Sequence, residues 1–406
     1  MRAEQFQKTV PGKLEPITLN KRVVRAGLPE LVPIHTICFV PDPLPPKIDW
    51  AQAKIELFDL HGEALLALGR LNGLHKQLNN AAKLLRALWI REARQSSAVE
   101  GIHTTSQDMV LAGAERSTGV RSGAKEAWNY VRALEHGIAS DFPTATRIIC
   151  EMHALLLEGV DGEDKRPGSI RNINVMIQGE DSGPEHARFI PPPAGEPLLT
   201  CLREFEVFVN TPNPQIPALF AAAIAHYQFE AIHPFADGNG RIGRVLLSRS
   251  LVKSGILKHP VVYFSEYIRK NKLEYVDRLL AVSTHNAWTP WIRFILQAIL
   301  HQSLDAITRS EQLIDLRERY LSSLKAEDAP MRYSRLIDRL FEIPAINAEE
   351  AQPILEVGNK TVYRDIELLE KLGILKEITG RQRARDWVAP GILHIIGSDS
   401  DLPTES

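Results

Sequence analysis

Two apolar stretches with helical periodicity, at residues 219–229 and 245–251, flank a polar run that contains one proline and three glycines. The periodicity on both sides predicts two helices joined by this run. Its glycines let the backbone turn tightly and approach a ligand closely. The second helix then begins inside the run, so its unpaired N–H groups and the positive end of its dipole face the loop. The sequence therefore predicts a helical fold that presents a helix N-terminus at a loop.

The side chains of this run are suited to nucleotide chemistry. From residue 233 to residue 244 the sequence reads HPFADGNGRIGR. A helix N-terminus favours phosphate, and Arg241 and Arg244, three residues apart, can face the same side of the first turn and hold phosphate oxygens. Asp237 offers a hard oxygen ligand for Mg²⁺, and Asn239 can donate its amide to a phosphate oxygen. His233 can accept a proton near neutral pH, so the run indicates a nucleotide phosphoryl-transfer site.

The same run resembles, without departure, the HPFx(D/E)GN(G/K)RxxR signature of Fic-domain proteins. The resemblance implies AMPylation, in which AMP is transferred from ATP to a Ser, Thr or Tyr hydroxyl of a target protein and of the enzyme itself, with Mg²⁺. It also implies that His233 is the catalytic base and that Asp237 is the Mg²⁺ ligand. Phe235 would be buried and structural. The nucleotide-binding set implied within the signature comprises Asp237, Gly238, Asn239, Gly240, Arg241, Ile242, Gly243 and Arg244, with the anion hole at 238–240 and the β- and γ-phosphates on the two arginines.

A β-hairpin is predicted between residues 161 and 193, where Ile173, Val175 and Ile177 alternate with polar or flexible residues. Together with the preceding RPGSIR at 166–171, it resembles the flap of Fic proteins. An exposed strand edge can capture an extended target segment by β-augmentation. We therefore expect the protein substrate to bind at this hairpin and Ile177 to cover the adenine.

A second segment suggests a built-in inhibitor. Ser96 and Glu100 are four residues apart on one helix face, and Gly101 is a suitable C-cap. The segment resembles the (S/T)xxxE(G/N) inhibitory motif of Fic proteins. The resemblance implies that Glu100 pairs with Arg244, so that ATP binds in a non-productive pose. We also expect Tyr275, in an aromatic segment after the signature helix, to line the adenosine pocket.

The C-terminal region has the order helix, helix, helix, hairpin that is typical of a winged helix-turn-helix module. Its third helix would present Asn359, Lys360, Thr361 and Arg364, and its wing would carry Lys376, Arg381, Arg383 and Arg385. This is a plausible phosphate footprint. However, residues 310–387 contain 13 Lys and Arg against 15 Asp and Glu, a net charge of 13 − 15 = −2. Because DNA-binding modules are normally basic, a protein-contact or dimerisation role is the favoured alternative to DNA binding.

Composition sets the domain count and excludes some classes of protein. The chain has 406 residues, enough for two to three domains, and 48 basic against 50 acidic residues, so no overall charge draws it to nucleic acid or membranes. Three distant cysteines argue against a disulfide framework. No apolar stretch in the central region reaches membrane-spanning length, and the N-terminus has no signal-peptide core. We expect a cytoplasmic protein that has no membrane contact and can form a homodimer.

The predicted fold class is mostly α: a Fic helical bundle with a β-hairpin flap, an N-terminal helical region and a C-terminal winged helix-turn-helix domain. The predicted domains are an N-terminal Fic-associated region with the inhibitory helix at 1–115, a Fic catalytic domain at 116–305 and the winged helix at 310–396. Alternative functions are AMP removal with Glu100 orienting a water, transfer of another phosphate-linked group, and a DNA-binding regulator with a nucleotide-sensing site. Zinc hydrolysis through His226, Glu230 and His233 is disfavoured because no HExxH motif is present.

Overall fold

Helices make up most of the described chain, as the apolar periodicity predicts. The structure, a computed structural model, describes residues 3–25, 28–76, 81–114, 122–160, 166–178, 183, 186–381 and 384–398. The chain divides into two compact units, the first made of residues 1–63, 132–255 and 270–298 and the second of residues 64–131, 256–269 and 299–406. In chain order the main elements are β1 (Gly12–Arg25), β2 (Leu28–Pro41), α1 (Trp50–Glu56), α2 (Phe58–Lys76), α3 (Ala81–Val99), α4 (Ser106–Gly113), α5 (Ser122–Ala139), α6 (Thr146–Leu156), β3 (Ile177–Gln178), β4 (Ala187–Phe189), α7 (Glu196–Asn210), α8 (Ala218–Ile232), α9 (Asn239–Lys253), α10 (Phe264–Lys270), α11 (Lys272–His285), α12 (Trp288–Ala326), α13 (Arg332–Glu342), β5 (Ala345–Asn347), α14 (Ala348–Leu355), α15 (Asn359–Lys371), β6 (Lys376–Glu377), β7 (Asp386–Val388) and α16 (Pro390–Gly397).

The N-terminal region begins with a β-ribbon. The prolines of the first 50 or so residues predict an irregular chain there, because proline lacks the N–H and clashes inside helices. This prediction is wrong. Strands β1 and β2 pair antiparallel from Gly12 opposite Pro41 onward. Each strand of a two-stranded ribbon has one free edge, so a proline such as Pro33 need not donate a hydrogen bond. Ile17 is buried while the next residue, Thr18, is exposed. This alternation with a period of two is the sequence signal that favours a strand. The helices of the region begin only at α1.

The predicted flap hairpin is present and is supported by the ribbon. Strands β3 and β4 pair antiparallel, with Ile177 opposite Phe189, and they are shorter than the sequence pattern indicates. Most of the connection between them lies outside the described residues. The Phe39 N–H of β2 donates to the carbonyl of Ile190 at 2.9 Å, directly after β4. A small apolar cluster joins the two hairpins through Ile17, Leu19, Cys38, Ala187 and Ile190.

Helix α8 is the central helix of the first unit. It is apolar on almost every side and nearly all of its residues are buried, as expected of a helix enclosed by other elements. It packs against α7 and α9. The indole of Trp291 on α12 donates to the carbonyl of Ala223 on α8 at 2.8 Å. These contacts fix the C-terminal end of α8, from which the predicted site begins.

The C-terminal module, residues 332–397 in the second unit, has the predicted order of three helices followed by a hairpin. The sequence predicts helices at 332–342, around 348–355 and at 360–372, and α13, α14 and α15 lie within one residue of these bounds. Strand β5, which the sequence analysis missed, pairs with β7 and makes a three-stranded sheet of order β5-β7-β6. Helix α14 begins with a capping box between Asn347 and Glu350. Gly373, with φ of 68°, ends α15 where the sequence predicts.

Three arginines, which we call the arginine clamp, hold the C-terminal end of α16 within the second unit. Arg91 and Arg94 belong to α3, and Arg309 belongs to α12. They donate to main-chain carbonyls: Arg91 to Ile396 at 3.0 Å, Arg94 to Gly397 at 2.9 Å and Arg309 to Ser398 at 3.1 Å. Arg91 also forms a fully buried ion pair with Glu266. Cations are favourable at this end of a helix because its carbonyls carry partial negative charge.

The described part of the chain contains no helix that is both long and apolar enough to span a bilayer. The predicted domain boundaries at 1–115, 116–305 and 310–396 stay predictions.

Candidate functional site

A short loop between α8 and α9 contains the signature run, as the sequence predicts. His233 follows α8 in the left-handed region with φ of 50°, and Gly238 precedes α9 with φ of 75°. Left-handed geometry is costly for most residues and easy for glycine. These two positions reverse the chain so that α9 packs on α8. The N-terminus of α9 is thereby brought to the loop.

Asn239 closes this loop with its side chain. Its Oδ1 accepts from the Phe235 N–H, and its Nδ2 donates to the Phe235 carbonyl, both at 2.9 Å. The side chain is buried by these contacts. One hydrogen of its Nδ2 is used in this way, and the second hydrogen and the backbone N–H are the donors that an anion could use. The predicted contact between this amide and a phosphate stays a prediction.

The first turn of α9 offers backbone donors. The first hydrogen bond inside the helix runs from the Ile242 N–H to the Gly238 carbonyl at 3.1 Å. The preceding amides of Asn239, Gly240 and Arg241 therefore have no acceptor within the helix. Their N–H groups and the helix dipole favour an anion at this point. Asn239 and Gly240 of the predicted anion hole at 238–240 are among these residues, whereas the Gly238 N–H donates to Asp237 Oδ1 at 2.6 Å.

His233 is half-buried at the start of the loop and is held in one tautomer. Its Nδ1 lies 3.3 Å from the Glu230 carbonyl oxygen. A carbonyl can only accept, so Nδ1 carries the hydrogen and Nε2 presents its lone pair. An imidazole in this state can take a proton from a hydroxyl group. This geometry agrees with the predicted role of a base.

Arg241 and Arg244 both lie on the first turns of α9, and both are almost fully buried, at 3% and 1% exposure. Arg241 Nη2 lies 3.7 Å from Asp237 Oδ1. The structure therefore brings Arg241 close to the predicted metal ligand. Two guanidinium groups beside the first amides of α9 place positive charge at this end of the helix.

Asp237 has the geometry of a partial metal ligand. Its side chain is 47% exposed, and Oδ1 accepts the Gly238 N–H at 2.6 Å. Oδ2 remains directed away from that bond and can meet a hard cation. Among the described residues, no cluster of three or more His, Cys, Asp or Glu side chains could hold a metal by itself. One carboxylate fits Mg²⁺, which usually completes its shell with substrate phosphates and water.

Two signature residues face the protein interior instead of a ligand. The Ile242 side chain is fully buried, and its N–H is used within α9. A Cβ added to Gly243 would overlap Glu230 Oε1 on α8 and lie 3.3 Å from His226 Cε1. Both occupy packing positions, and the nucleotide contact expected of them stays a prediction. Gly243 is small because α8 passes directly beside it.

Replacing Gly243 by alanine tests this packing. The added methyl group would meet the Glu230 carboxylate, so we expect the free energy of unfolding to fall by about 1–3 kcal/mol. Thermal or denaturant unfolding measures it. Gly69→Ala is the matched control, because Gly69 lies in α2 with no neighbouring atom within 4 Å of the added Cβ. Alanine there should be neutral or stabilising by up to about 1 kcal/mol. Equal stability of Gly243→Ala and wild type would contradict the packing role.

Tyr275 lies in the core of the first unit, at 6% exposure. Its hydroxyl group donates to His226 Nε2 at 2.9 Å, since His226 Nδ1 donates to the Gly243 carbonyl at 3.2 Å. The ring packs beside Trp291. Burial lowers the pKa of His226 to about 3, so this histidine stays neutral. These contacts use Tyr275 for packing and give its predicted adenosine contact no support.

The predicted inhibitory segment has the expected local structure. Helix α3 ends at Val99, and Gly101 adopts φ of 85°. The Ile102 N–H donates to the Ser97 carbonyl at 3.0 Å, and the Gly101 N–H donates to the Ala98 carbonyl at 3.1 Å. This pair of bonds is a Schellman C-cap. It places Glu100, which is exposed, directly at the end of the helix, one turn after the buried Ser96.

The sequence analysis missed the role of Arg171, a buried guanidinium below the loop. It donates to the carbonyls of His233 at 2.8 Å, Pro192 at 2.6 Å and Ile173 at 3.1 Å. Its own N–H donates to the Pro234 carbonyl at 3.0 Å. Burial lowers the pKa of Arg171 to about 10, so it remains charged at neutral pH. Arg171 thereby ties the signature loop to both sides of the flap hairpin.

The sequence analysis also missed His153 on α6. Its Nδ1 accepts the Gly168 N–H at 2.9 Å, so its Nε2 carries the hydrogen and donates to the Asp237 carbonyl at 3.0 Å. Its ring stacks on Phe235, with centroids 3.7 Å apart. Burial lowers the pKa of His153 to about 4, which keeps it neutral. No sequence pattern marked this residue, because its partners come from distant segments.

Comparisons with known proteins give consistent matches. Residues 58–139 match the Fic/DOC family N-terminal region, and residues 143–251 match the Fic/DOC family itself. A protein adenylyltransferase Fic from Nematostella vectensis is 32% identical over 146 residues, which are 35% of this chain and 32% of that protein. Its counterpart from Drosophila melanogaster is 26% identical over 242 residues, 58% of this chain and 42% of that protein. The chain thus spans less than half the length of these relatives.

One solved structure shares the fold. A Fic family protein from Desulfovibrio desulfuricans aligns with a TM-score of 0.54 at 21% identity, covering 85% of this chain and 98% of that protein. At this identity the likeness concerns the fold alone. It agrees with the predicted helical class.

Proposed function

Because residues 58–251 carry the two domains of the Fic/DOC family, we propose that this chain is a protein adenylyltransferase. It transfers AMP from ATP to Ser, Thr or Tyr hydroxyls of a target protein and of itself. The observation that carries the proposal is the signature loop, which joins a histidine in a fixed tautomer to the start of a helix that carries two arginines. The named activity of the matching relatives supports it.

In the proposed reaction, His233 Nε2 takes the proton of the target hydroxyl. The hydroxyl oxygen bonds to the α-phosphorus, the bond from that phosphorus to the bridging oxygen breaks, and pyrophosphate leaves. The amides at 239–241 bind the phosphate oxygens, and Arg241 and Arg244 orient the β- and γ-phosphates. Asp237 would hold Mg²⁺, which neutralises phosphate charge when bound.

The flap hairpin is the proposed docking place for the target. Strand β3 pairs only with β4 among the described strands, so its outer edge can accept an extended segment. Ile173, close to that edge, is 56% exposed. The hydroxyl group would be positioned through main-chain contacts, which demand no strict target sequence. Ile177, half-buried on β3, stays the proposed cover for the adenine.

We further propose that Glu100 restrains the activity. Its carboxylate would bind Arg244 and occupy the guanidinium that should orient the γ-phosphate. The match of residues 96–101 to the inhibitory motif supports this proposal. The Schellman cap at Gly101 fixes Glu100 at the end of α3. ATP bound without this arginine would present its α-phosphate out of line with the hydroxyl group.

The direct test is intact-mass measurement of the full chain. Incubation with ATP and Mg²⁺ should add one AMP unit, and more of it in Glu100→Gly protein. GTP, CTP and UTP in parallel samples identify the donor, and omission of Mg²⁺ tests the metal. A different added mass would reassign the transferred group. No added mass with any nucleotide in the Glu100→Gly protein would contradict the proposal, and loss of AMP from a pre-modified chain would favour AMP removal.

The C-terminal module supports a second, smaller role. Lys360 and Arg364 are exposed along α15, and Arg381 is exposed near the hairpin. This face can contact phosphates, and we propose the module as a winged helix that touches DNA or a protein partner. Glu367 is exposed on the same helix, and its negative charge would repel the phosphates of DNA. Arg383, assigned to the wing by the sequence, lies outside the described residues.

A further inference from the structure

His153 joins three segments at the base of the signature loop. It lies on α6 and has no exposed surface. It accepts from Gly168 before the flap and donates to Asp237 in the loop. Gly168 has φ of 73°, and a Cβ there would lie 3.1 Å from Ala154 Cβ. The segment before the flap therefore runs close against α6, which keeps the Gly168 N–H within reach of the imidazole.

The hydrogen bond from His153 to the Asp237 carbonyl fixes the orientation of a whole peptide unit. The peptide unit that joins Asp237 to Gly238 is planar and trans, so its C=O and its N–H point in opposite directions. His153 holds the C=O, and the N–H on the other side donates to Asp237 Oδ1 at 2.6 Å. When the imidazole fixes the peptide plane, it also sets the direction of the carboxylate. The same plane leads into the left-handed Gly238 and the first amides of α9.

We propose that His153 is a positioning residue, which acts through the Asp237 peptide to aim the Asp237 carboxylate and the start of α9 at the Mg²⁺–nucleotide complex. This inference rests on the proposed function. Partners that orient a metal ligand typically affect metal affinity or activity by about 10- to 100-fold. His153 would contribute at this level without touching the substrate.

Two substitutions separate its two hydrogen bonds. Asparagine places an oxygen near the position of Nδ1, so His153→Asn keeps the acceptor for Gly168 and loses the donor to Asp237. Glutamine places an amide nitrogen near the position of Nε2, so His153→Gln keeps the donor to Asp237 and loses the acceptor for Gly168. Both variants lose the stacking on Phe235 equally. A difference in Mg²⁺ dependence between the two variants therefore reports the hydrogen bond to Asp237 and not the loss of the ring.

The test uses the full chain in a Glu100→Gly background, so that any inhibition is the same in all samples. Calorimetry measures the Mg²⁺ concentration needed for half-maximal binding in the presence of a non-hydrolysable ATP analogue. We expect this concentration to rise about 10-fold or more in His153→Asn and to stay within about threefold of the parent in His153→Gln. The rate of AMP transfer at low Mg²⁺ should follow the same order.

Equal Mg²⁺ dependence of the two variants, or parent-like binding in His153→Asn, would overturn the positioning role. Thermal unfolding of both variants checks that each is folded at the assay temperature. Failure of the proposed function has a different signature, because the parent would then bind the Mg²⁺–analogue complex and transfer no AMP. In that case the binding comparison still decides the role of His153.

Discussion

The His233→Ala variant is expected to lose AMP transfer by about 10²- to 10⁴-fold, the range that removal of a general base costs. In the wild type, His233 Nδ1 donates to the Glu230 carbonyl, so the variant removes the Nε2 lone pair that would accept the proton. ATP binding should change little, because the imidazole is assigned to the hydroxyl and not to the phosphates. The rate is measured by transfer of label from ATP carrying ³²P at the α-phosphate, and ATP affinity by calorimetry.

Backbone strain has to be separated from this loss. His233 has φ of 50°, a region that alanine adopts reluctantly and asparagine tolerates. His233→Asn therefore removes the base while it preserves the turn, and it should lose the same fraction of the rate. His35→Ala is the control, since His35 is an exposed ribbon residue whose ring forms a hydrogen bond with Thr18. If His233→Asn kept more than a tenth of the wild-type rate, the base would have to be another group.

The Glu100→Gly variant is expected to raise self-labelling by about 5- to 150-fold, the range of typical coupling free energies of 1–3 kcal/mol. Removal of the carboxylate leaves Arg244 available to the γ-phosphate. Glu100→Gln should act in the same direction, because it removes the charge and keeps the size of the side chain. The same label transfer measures both, and adding His233→Ala to Glu100→Gly should abolish the gain.

The control for this effect is Glu349→Gln, a change at an exposed glutamate on α14. It should leave self-labelling unchanged. Equal labelling of wild type and Glu100→Gly would disprove the inhibition while leaving the transferase proposal intact. Because Glu100 ends a helix with a glycine cap, either substitution is compatible with the end of α3.

The parts of the fold that were predicted correctly depend on local sequence. The caps at Gly101 and Gly373 follow from glycine at a helix end, and the loop before α9 follows from the glycines of the signature run. The bounds of α13 and α14 followed from helical periodicity, and the capping box at Asn347 is a local signal at the start of α14 that was also available. Each of these signals lies within a few residues of the feature that it predicts.

The parts that were missed depend on contacts between distant segments. His153 and Arg171 bind main-chain groups far along the chain, and no residue pattern marks such partners. The signature run also combines two kinds of position, since Ile242 and Gly243 pack in the interior while Arg241 lies beside Asp237 at the loop. The ribbon was missed because its prolines argued against helix and its weak period of two was overlooked. A motif identifies which residues belong to one segment, but only the packed structure shows which of them lie at the loop and which lie in the interior.

The arginine clamp binds main-chain oxygens at the end of α16. The identity of the residues in this segment and their number are therefore constrained to different degrees. Any residue supplies the carbonyl at positions 396, 397 and 398, so the side chains there can vary without breaking these bonds. The number of residues cannot vary in the same way. A one-residue deletion would shift every carbonyl out of register with Arg91, Arg94 and Arg309 and leave buried positive charge without its acceptors. At this end of the chain, length is constrained more tightly than composition.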